Sequence, residues 1–383
     1  MTTYQSRLRQ AQSYLQDQDV DLGYRLLLDC TIDTQDMSLY KRAIELTDWR
    51  EHHANHTKDF ITKALSLSEA LTHVQPDEHE HEAVVITAKD VEKKYRRDGF
   101  KLGPINLQLH KSQVYGLVGE NGNGKTTLLR ILAQELAHDS GAVDYSLKAD
   151  TQTNYDLRSR LAYVPQRTEQ WYGPLMDNLK FVLANYNVAP DEIETRALMM
   201  VARMGLWSYK DLKWSELSSG YKMRFELART LLRQPEVLLL DEPLANLDVL
   251  AQQVILEDLK SICNSPVNPV ALILSSQQLY EVEKVSDRVI FLKKGSQEIQ
   301  EQSDNADVLQ LIIEMDIKAT RNELESALQP VGLQKLIFNG GIYIAYFKET
   351  TSFNQVLSIL GTTQADVVYV RNISKSTRRF FID

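Results

Sequence analysis

The stretch GENGNGKTT, residues 119–127, fits the spacing G-x-x-x-x-G-K-[ST]. An apolar, strand-like run (QVYGLV) precedes it and a helix-like run (TTLLRILAQEL) follows it, which is the context that a phosphate-binding loop requires. Glycines let the backbone turn so that its N–H groups face phosphate oxygens, and a helix N-terminus favours an anion. A chance glycine-rich turn would lack these flanks. The stretch therefore predicts a nucleotide site made of Gly119, Glu120, Asn121, Gly122, Asn123, Gly124, Lys125, Thr126 and Thr127.

A second motif, EVLLLDEP at 236–243, predicts the acidic half of the same site. Its apolar residues indicate a buried strand that places Asp241 and Glu242 at its carboxyl end, the edge of an open α/β sheet where ligands bind. Lys125 would lie near the β- and γ-phosphates of ATP, and the Thr126 hydroxyl would bind Mg²⁺. We expect Asp241 to hold the metal, directly or through water, and Glu242 to polarise an attacking water.

The region around these motifs, 84–300, alternates short apolar runs with helical stretches, which is typical of an α/β domain with a largely parallel sheet. It resembles the nucleotide-binding domain of the ATP-binding cassette (ABC) family. Four further features in the family's order carry this resemblance. They are YVPQ ending at Gln166, similar to the Q-loop; LSSGY at 217–221, similar to the signature motif; ANLD at 245–248, similar to the D-loop; and Tyr95, where the family places a ring that stacks on adenine.

The resemblance implies a P-loop cassette with a helical signature subdomain, and a head-to-tail dimer with two ATPs at its interface. Ser218 and Gly220 of one copy would contact the ATP held by the other, and Asp248 would lie at the same interface. Gln166 would serve both the metal and catalysis. One cassette in the chain makes a homodimer the default, with a heterodimer as the alternative. The family's Leu-Ser-Gly-Gly-Gln is altered here, because Ser219 and Tyr221 replace a glycine and the glutamine.

Another departure follows the strand-like run ALILSS at 271–276. The family places a histidine at the next position, where it reaches the γ-phosphate, and this chain has Gln277. A glutamine amide has two N–H donors, so it can bind a phosphate oxygen or hold the water, but it cannot become a cation. Because Gln166, Asp241 and Glu242 are present, we expect hydrolysis. A degenerate site that binds ATP without turnover is the alternative.

Outside the cassette the sequence predicts two small domains. Residues 1–75 have helical periodicity and form an all-helical domain, and the polar stretch 76–83 is a linker that we expect to leave the cassette independent of these helices. Residues 308–383 show the order βαββαβ, which predicts a ferredoxin-like α+β domain. Between the Q-loop and the signature motif, Trp171, Tyr172 and Leu175 form either a groove for a partner or part of the local core.

Bulk properties narrow the function. The net charge is −9, and residues 1–83 carry eight Lys and Arg against fifteen Asp and Glu, which makes nucleic-acid binding unfavourable. No apolar run is long enough to span a membrane. The two cysteines, Cys30 and Cys263, do not form a motif of the kind that binds zinc or builds a disulfide framework, which fits a reducing cytoplasm. With the resemblance, this favours the cytoplasmic, peripheral ATPase subunit of an ABC transporter, expected to be an exporter, working with a separate permease. The alternatives are an ABC ATPase that remodels a protein or nucleic-acid assembly, and an ATP-sensing switch.

Overall fold

The computed structural model describes residues 3–79, 82–95, 99–147, 154–245, 247–277, 282–298, 311–339, 341–363 and 365–374. The chain divides into two compact units, 1–298 and 299–383. None of the described helices is both long enough and apolar enough to cross a membrane.

The first unit begins with four helices, in agreement with the periodicity of the N-terminal sequence. Each has an apolar face, and the buried positions of the first helix (Leu8, Ala11 and Leu15) recur at three- and four-residue intervals. The helices are α1 (Tyr4–Gln16), α2 (Val20–Asp33), α3 (Met37–His52) and α4 (Thr57–Thr72).

Two sheets form the cassette. Strands β1 (Val84–Lys94), β2 (Lys101–His110) and β4 (Ser140–Tyr145) make an antiparallel sheet in the order β2-β1-β4. The larger sheet has the order β5-β6-β7-β3-β8-β9 and is parallel apart from its last pair. Its strands are β3 (Val114–Val118), β5 (Leu161–Val164), β6 (Val237–Leu240), β7 (Ala271–Ser276), β8 (Arg288–Lys293) and β9 (Ser296–Glu298). The predicted largely parallel sheet is confirmed, and its central strands are buried on both faces.

Helices surround the sheets. Helix α5 (Lys125–Leu132) follows the phosphate loop, and α10 (Val249–Cys263) follows the DE motif. The remaining helices are α6 (Asn154–Arg160), α7 (Leu175–Asn185), α8 (Pro190–Arg203) and α9 (Ser219–Leu231). Helices α7, α8 and α9 lie between the Q-loop and the DE motif, where the resemblance places the helical subdomain.

The N-terminal helices share one hydrophobic core with the cassette. Helix α3 packs against α8, and the indole Nε1 of Trp207 donates to Asp48 Oδ1 at 3.2 Å. Buried leucines of α1 and α2 belong to the same apolar cluster as Met199 and Leu206. The expectation that the linker at 76–83 leaves the cassette independent of these helices is therefore wrong, because residues 1–298 form one compact unit.

The second unit has the predicted order of elements. Its strands are β10 (Ile312–Lys318), β11 (Leu333–Asn339), β12 (Ile342–Phe347) and β13 (Asp366–Asn372), and its helices are α11 (Arg321–Leu328) and α12 (Phe353–Thr362). The strands pair antiparallel in the order β11-β12-β10-β13, which is a ferredoxin-like arrangement. The helices cover a core that includes Met315, Phe347 and Val356.

Candidate nucleotide site

The predicted site residues meet at one edge of the large sheet. Strands β5, β6, β7 and β3 are parallel neighbours, and their last residues are nearly level: Leu240 pairs with Val164 and with Leu274, and Val118 pairs with Ser276. The chain leaves these strands toward Gln166, the Asp241–Glu242 pair, Gln277 and the phosphate loop. Four segments far apart in sequence therefore converge at the carboxyl edge, where open α/β sheets bind ligands.

The phosphate loop takes its shape from two glycines. Gly124 is the N-cap of α5 with φ of 97°, a left-handed conformation that side chains rarely adopt. Gly119 lies so close to the neighbouring strand that a Cβ there would be 2.5 Å from the carbonyl oxygen of Leu292. Both positions thus require glycine, and the backbone turns directly into the N-terminus of a helix, which favours an anion.

Lys125 is nearly buried, at 5% exposure, yet its ammonium faces the loop. Its Nζ donates to the carbonyl oxygens of Gly119 at 2.6 Å and Glu120 at 3.3 Å, and lies 3.3 Å from Glu242 Oε1. Carbonyl oxygens are weaker partners for a cation than phosphate oxygens are. A phosphate that enters the loop can therefore replace them around Lys125.

Asp241 is a buried acceptor with three hydroxyl partners. Thr126 Oγ1 donates to Oδ2 at 2.7 Å, Tyr163 OH donates to the same oxygen at 3.3 Å, and Ser275 Oγ donates to Oδ1 at 2.9 Å. The Ser275 hydroxyl also accepts the backbone N–H of Glu242 at 2.9 Å. These bonds hold Asp241 and the Thr126 hydroxyl side by side.

Two predicted glutamines converge on one oxygen of Glu242. Gln166 Nε2 donates to Oε2 at 2.7 Å, and Gln277 Nε2 donates to it at 2.9 Å. Glu242 has φ of 47°, a strained conformation for a residue other than glycine, and such strain is concentrated at functional sites. Among the described residues, the carboxylate is thus held between Lys125 on one oxygen and two neutral amides on the other.

Sequence reasoning missed two residues of this site, Tyr163 and Ser275. Burial and the neighbouring Asp241 carboxylate both raise the pKa of the Tyr163 phenol well above its usual value, so it stays a neutral donor. Ser275 ends a fully buried strand, and a hydroxyl at that position was the available signal. Both act on Asp241, which no local motif could reveal.

The other predicted residues lie around this centre. Tyr95 is partly exposed, and its OH is 3.4 Å from Thr127 Oγ1 at the loop. Asp248 is the N-cap of α10 and accepts the N–H of Ala251 at 2.9 Å. Ser218 is the N-cap of α9, and Gly220 lies in its first turn. Within the described part of the chain, no hydrogen bond joins Ser218 or Gly220 to the phosphate loop.

The oxygen donors at the edge suit Mg²⁺. This ion prefers oxygen ligands, takes one or two from protein side chains and keeps phosphates and waters for the rest. Thr126 Oγ1 and the Asp241 carboxylate are adjacent, and the Gln166 side chain lies at the same edge, where its amide N–H donates to Glu242. No group of three or more His, Cys, Asp or Glu side chains within the described ranges could hold a metal. The residues therefore fit Mg²⁺ bound together with a nucleotide.

A nucleotide-binding loop, an acidic pair beside it and a parallel sheet define a P-loop ATPase. The profile of the ABC transporter family matches residues 102–245. An uncharacterized ABC transporter ATP-binding protein of Methanocaldococcus jannaschii is 30% identical over 53% of this chain and 72% of its own length. The spermidine/putrescine import ATP-binding protein PotA of Borreliella afzelii is 29% identical over 55% of this chain and 60% of its own length.

A solved structure agrees with these relatives. The chain is similar to cbiO1 from Clostridium perfringens, described as part of the ABC transporter complex cbiONQ, with a TM-score of 0.52 and 26% identity over 57% of this chain and 88% of that one. The chain therefore belongs to the ABC transporter ATP-binding proteins, and it is an ATPase of that family. Because one of the relatives is an import protein, the expectation of an exporter stays a prediction.

Proposed function

We propose that this ABC ATPase dimerises on ATP and hydrolyses it to drive a separate membrane permease, as a peripheral subunit on the cytoplasmic face of the membrane. The proposal rests on the surroundings of Glu242. Its carboxylate pairs with Lys125 of the phosphate loop and accepts hydrogen bonds from the amides of Gln166 and Gln277. The permease, rather than this chain, would set the substrate and the direction of transport.

The side chains suggest distinct roles in hydrolysis. Lys125 would bind the β- and γ-phosphates, Thr126 and Asp241 would hold Mg²⁺, and Tyr95 would stack on the base. The metal, when bound, would supply positive charge to the phosphates. Glu242 would accept the proton of the attacking water, because its carboxylate is already oriented by two amide donors. The amide of Gln277 now donates to Glu242, and with ATP bound it would donate one N–H to a γ-phosphate oxygen or to the water instead.

A second copy would complete the site. Ser218 is the N-cap of α9 and makes no side-chain capping hydrogen bond, and Gly220 lies in the first turn of the helix. A phosphate of the partner's ATP would fit at this helix N-terminus. Val249 and Leu250, directly after Asp248, are large apolar side chains with exposures of 75% and 76%. Their exposure in a single chain supports an interface between two copies near the D-loop.

The surface of the helical subdomain supports a permease as the partner. Tyr172 is 83% exposed and Phe181 is 69% exposed, whereas Trp171 and Leu175 are buried. Trp171 stacks on Trp214 with ring centroids 4.9 Å apart. Of the predicted group, only Tyr172 is thus available to anchor a protein partner, and Phe181, which was not predicted, adds a second exposed ring.

The first test is Glu242→Gln. The variant should bind MgATP and form a stable dimer, with turnover lowered about 10²–10⁴-fold, the usual contribution of a general base. Light scattering with MgATP gives the oligomeric state, and phosphate release gives the rate. Glu194→Gln on α8, an exposed surface carboxylate, is the matched control. A Glu242→Gln protein that stays monomeric and turns over normally would contradict the proposal.

The second test concerns the partner. The protein isolated from native membranes should carry a stoichiometric integral membrane protein, and Tyr172→Asp or Phe181→Asp should release it while leaving ATP hydrolysis by the isolated subunit intact. Recovery with ribosomes or nucleic acid instead would favour the remodelling ATPase. Neither outcome depends on the identity of the transported substrate.

A further inference from the structure

A cavity of about 510 Å³ lies between the N-terminal helices and the cassette. Residues of α1, α2, α8 and the end of α9 contribute to its wall, and none of the predicted nucleotide-site residues does. Three of its lining residues, Asn187, Gln234 and Asn268, are exposed to solvent. The volume is within the range of small-molecule sites, about 300–1,000 Å³.

Positive charge exceeds negative charge in the described lining of this cavity. Three of its arginines are matched by carboxylates. Arg203 pairs with Asp29, whose other oxygen lies 2.9 Å from Arg7, and Arg196 pairs with Glu192 at 2.9 Å. The lining contains five arginines (Arg7, Arg160, Arg196, Arg203 and Arg233) and three carboxylates (Asp29, Asp33 and Glu192).

The two other arginines have no carboxylate partner among the described residues. Arg233 donates through Nη2 to the backbone carbonyls of Arg158 and Leu161 at 3.3 and 3.4 Å, and its buried Nε makes no hydrogen bond. Its guanidinium lies over the Tyr186 ring, 5.4 Å from the centroid. Arg160 belongs to the same wall, and the described structure gives its side chain no hydrogen bond or ion pair. Guanidinium groups of this kind bind carboxylate, sulfonate or phosphate oxygens through paired N–H donors.

The rest of the wall offers an apolar surface and one polar contact. Met199, Met200 and Leu231 line it, and thioether side chains adapt to ligands of different shape. Arg7 Nη1 and Asp33 Oδ2 are both buried and make no hydrogen bond, although they lie only 3.6 Å apart. A hydroxyl or amide group placed there could satisfy both atoms, since it donates and accepts.

We propose that this cavity is a binding site for a small organic anion with an apolar body, its acidic group held by Arg160 and Arg233 and its body against the methionines of α8. The site goes beyond the proposed transport function, because it lies where the N-terminal helices, α8 and the end of α9 meet. It assigns these helices a second task besides packing, which is to form one wall of an effector site.

The probe is 8-anilinonaphthalene-1-sulfonate, which joins an aromatic body to one sulfonate, titrated into the full chain and followed by fluorescence and calorimetry. Its neutral counterpart, N-phenyl-1-naphthylamine, has the same body without the acidic group. We expect saturable binding of one sulfonate per chain, and affinity about tenfold lower for Arg233→Gln and for Arg160→Gln, because each removes a charge-assisted hydrogen bond. Binding is independent of hydrolysis, so this test is separate from that of Glu242.

Arg158→Gln is the matched control, since Arg158 is an exposed arginine of α6 that does not line the cavity. Circular dichroism verifies that each variant is folded, and if Arg233→Gln is not, Arg160→Gln decides alone because its side chain leaves no described partner behind. Equal binding by the neutral counterpart, the same loss in Arg158→Gln, or no saturable binding would each overturn the proposal.

Discussion

The nucleotide site and the buried ion network use the same kinds of side chain for opposite purposes. We define the buried ion network as Arg7, Asp29, Arg203 and Asp258, which joins α1 and α2 to α8 and α10. At the nucleotide site, Lys125 has two backbone carbonyls and one carboxylate as partners, beside an open sheet edge. In the network every charge faces an opposite charge, away from water.

The two regions differ in whether a ligand can replace the partners of their charged groups. Burial alone would raise the pKa of Asp29, but Arg203 and Arg7 hold it below its usual value, so this carboxylate stays ionised. Asp29 also accepts from the Ser261 hydroxyl at 2.7 Å. The network therefore supplies its own counter-charges and ties the N-terminal helices to the cassette, whereas at the nucleotide site an incoming phosphate could replace the backbone carbonyls around Lys125.

The largest expected effect is on the network. Asp29→Ala should leave Arg203 and Arg7 buried without their main counter-charge, and removal of one member of a buried pair costs about 3–5 kcal/mol of unfolding free energy. Urea unfolding of the full chain measures this. The control is Asp21→Ala, because Asp21 lies on the same helix in an exposed pair with Arg50 and should change stability by less than about 1 kcal/mol. Similar losses in both variants would remove the distinction between the two kinds of pair.

The next effect is on the nucleotide site. Lys125→Ala should weaken MgATP binding by at least about tenfold, since a hydrogen bond to a charged group contributes about 1.5–3 kcal/mol. Calorimetric titration gives the affinity, and Lys180→Ala, a partly exposed lysine of α7, is the control. We expect a smaller loss of stability in Lys125→Ala than in Asp29→Ala, because Glu242 keeps the amide donors of Gln166 and Gln277. Unchanged MgATP affinity would show that the loop does not use Lys125.

A smaller effect is expected at Gln277. If its amide donates to the γ-phosphate as charge develops, Gln277→Ala should lower turnover about tenfold, or about 1.4 kcal/mol, with ATP binding less affected. Gln277→His should keep or raise activity and should acquire a titration near pH 6.5 that the glutamine lacks. Phosphate release by the three proteins from pH 6 to 8.5 compares them. If Gln277→Ala hydrolyses ATP at the wild-type rate at every pH, Gln277 has no role in turnover.

The smallest effect is a pH dependence beside the network. Burial raises the pKa of Asp33 to about 6, although Arg7 and the Ser265 hydroxyl oppose the rise. A raised pKa in the folded state means that stability is fully present below the unfolded pKa and is lost as the pH rises through 6. Between pH 5 and 7.5 the loss should be about 1 kcal/mol. The difference in unfolding midpoint between wild type and Asp33→Asn should show this step, and a constant difference would contradict it.

Local patterns in the sequence were sufficient for the motifs and the elements. Glycine spacing with a following helix predicted the loop at 119–127, and apolar runs predicted the βαββαβ order of the second unit, which the structure confirms. Both signals are short-range: a turn needs its glycines, and a strand or helix shows its own periodicity. The same is true of Asp241 and Glu242, which their own strand places at the sheet edge.

Contacts between distant segments were decided only by the tertiary structure. The bonds from Tyr163 and Ser275 to Asp241, and the convergence of Gln166 and Gln277 on Glu242, depend on the order in which parallel strands pair. The polarity of the stretch at 76–83 carries no information about α3 and α8, which pack against each other. The sequence thus determined which groups could do chemistry, and the tertiary packing decided which charges pair with one another and which stay open to a ligand.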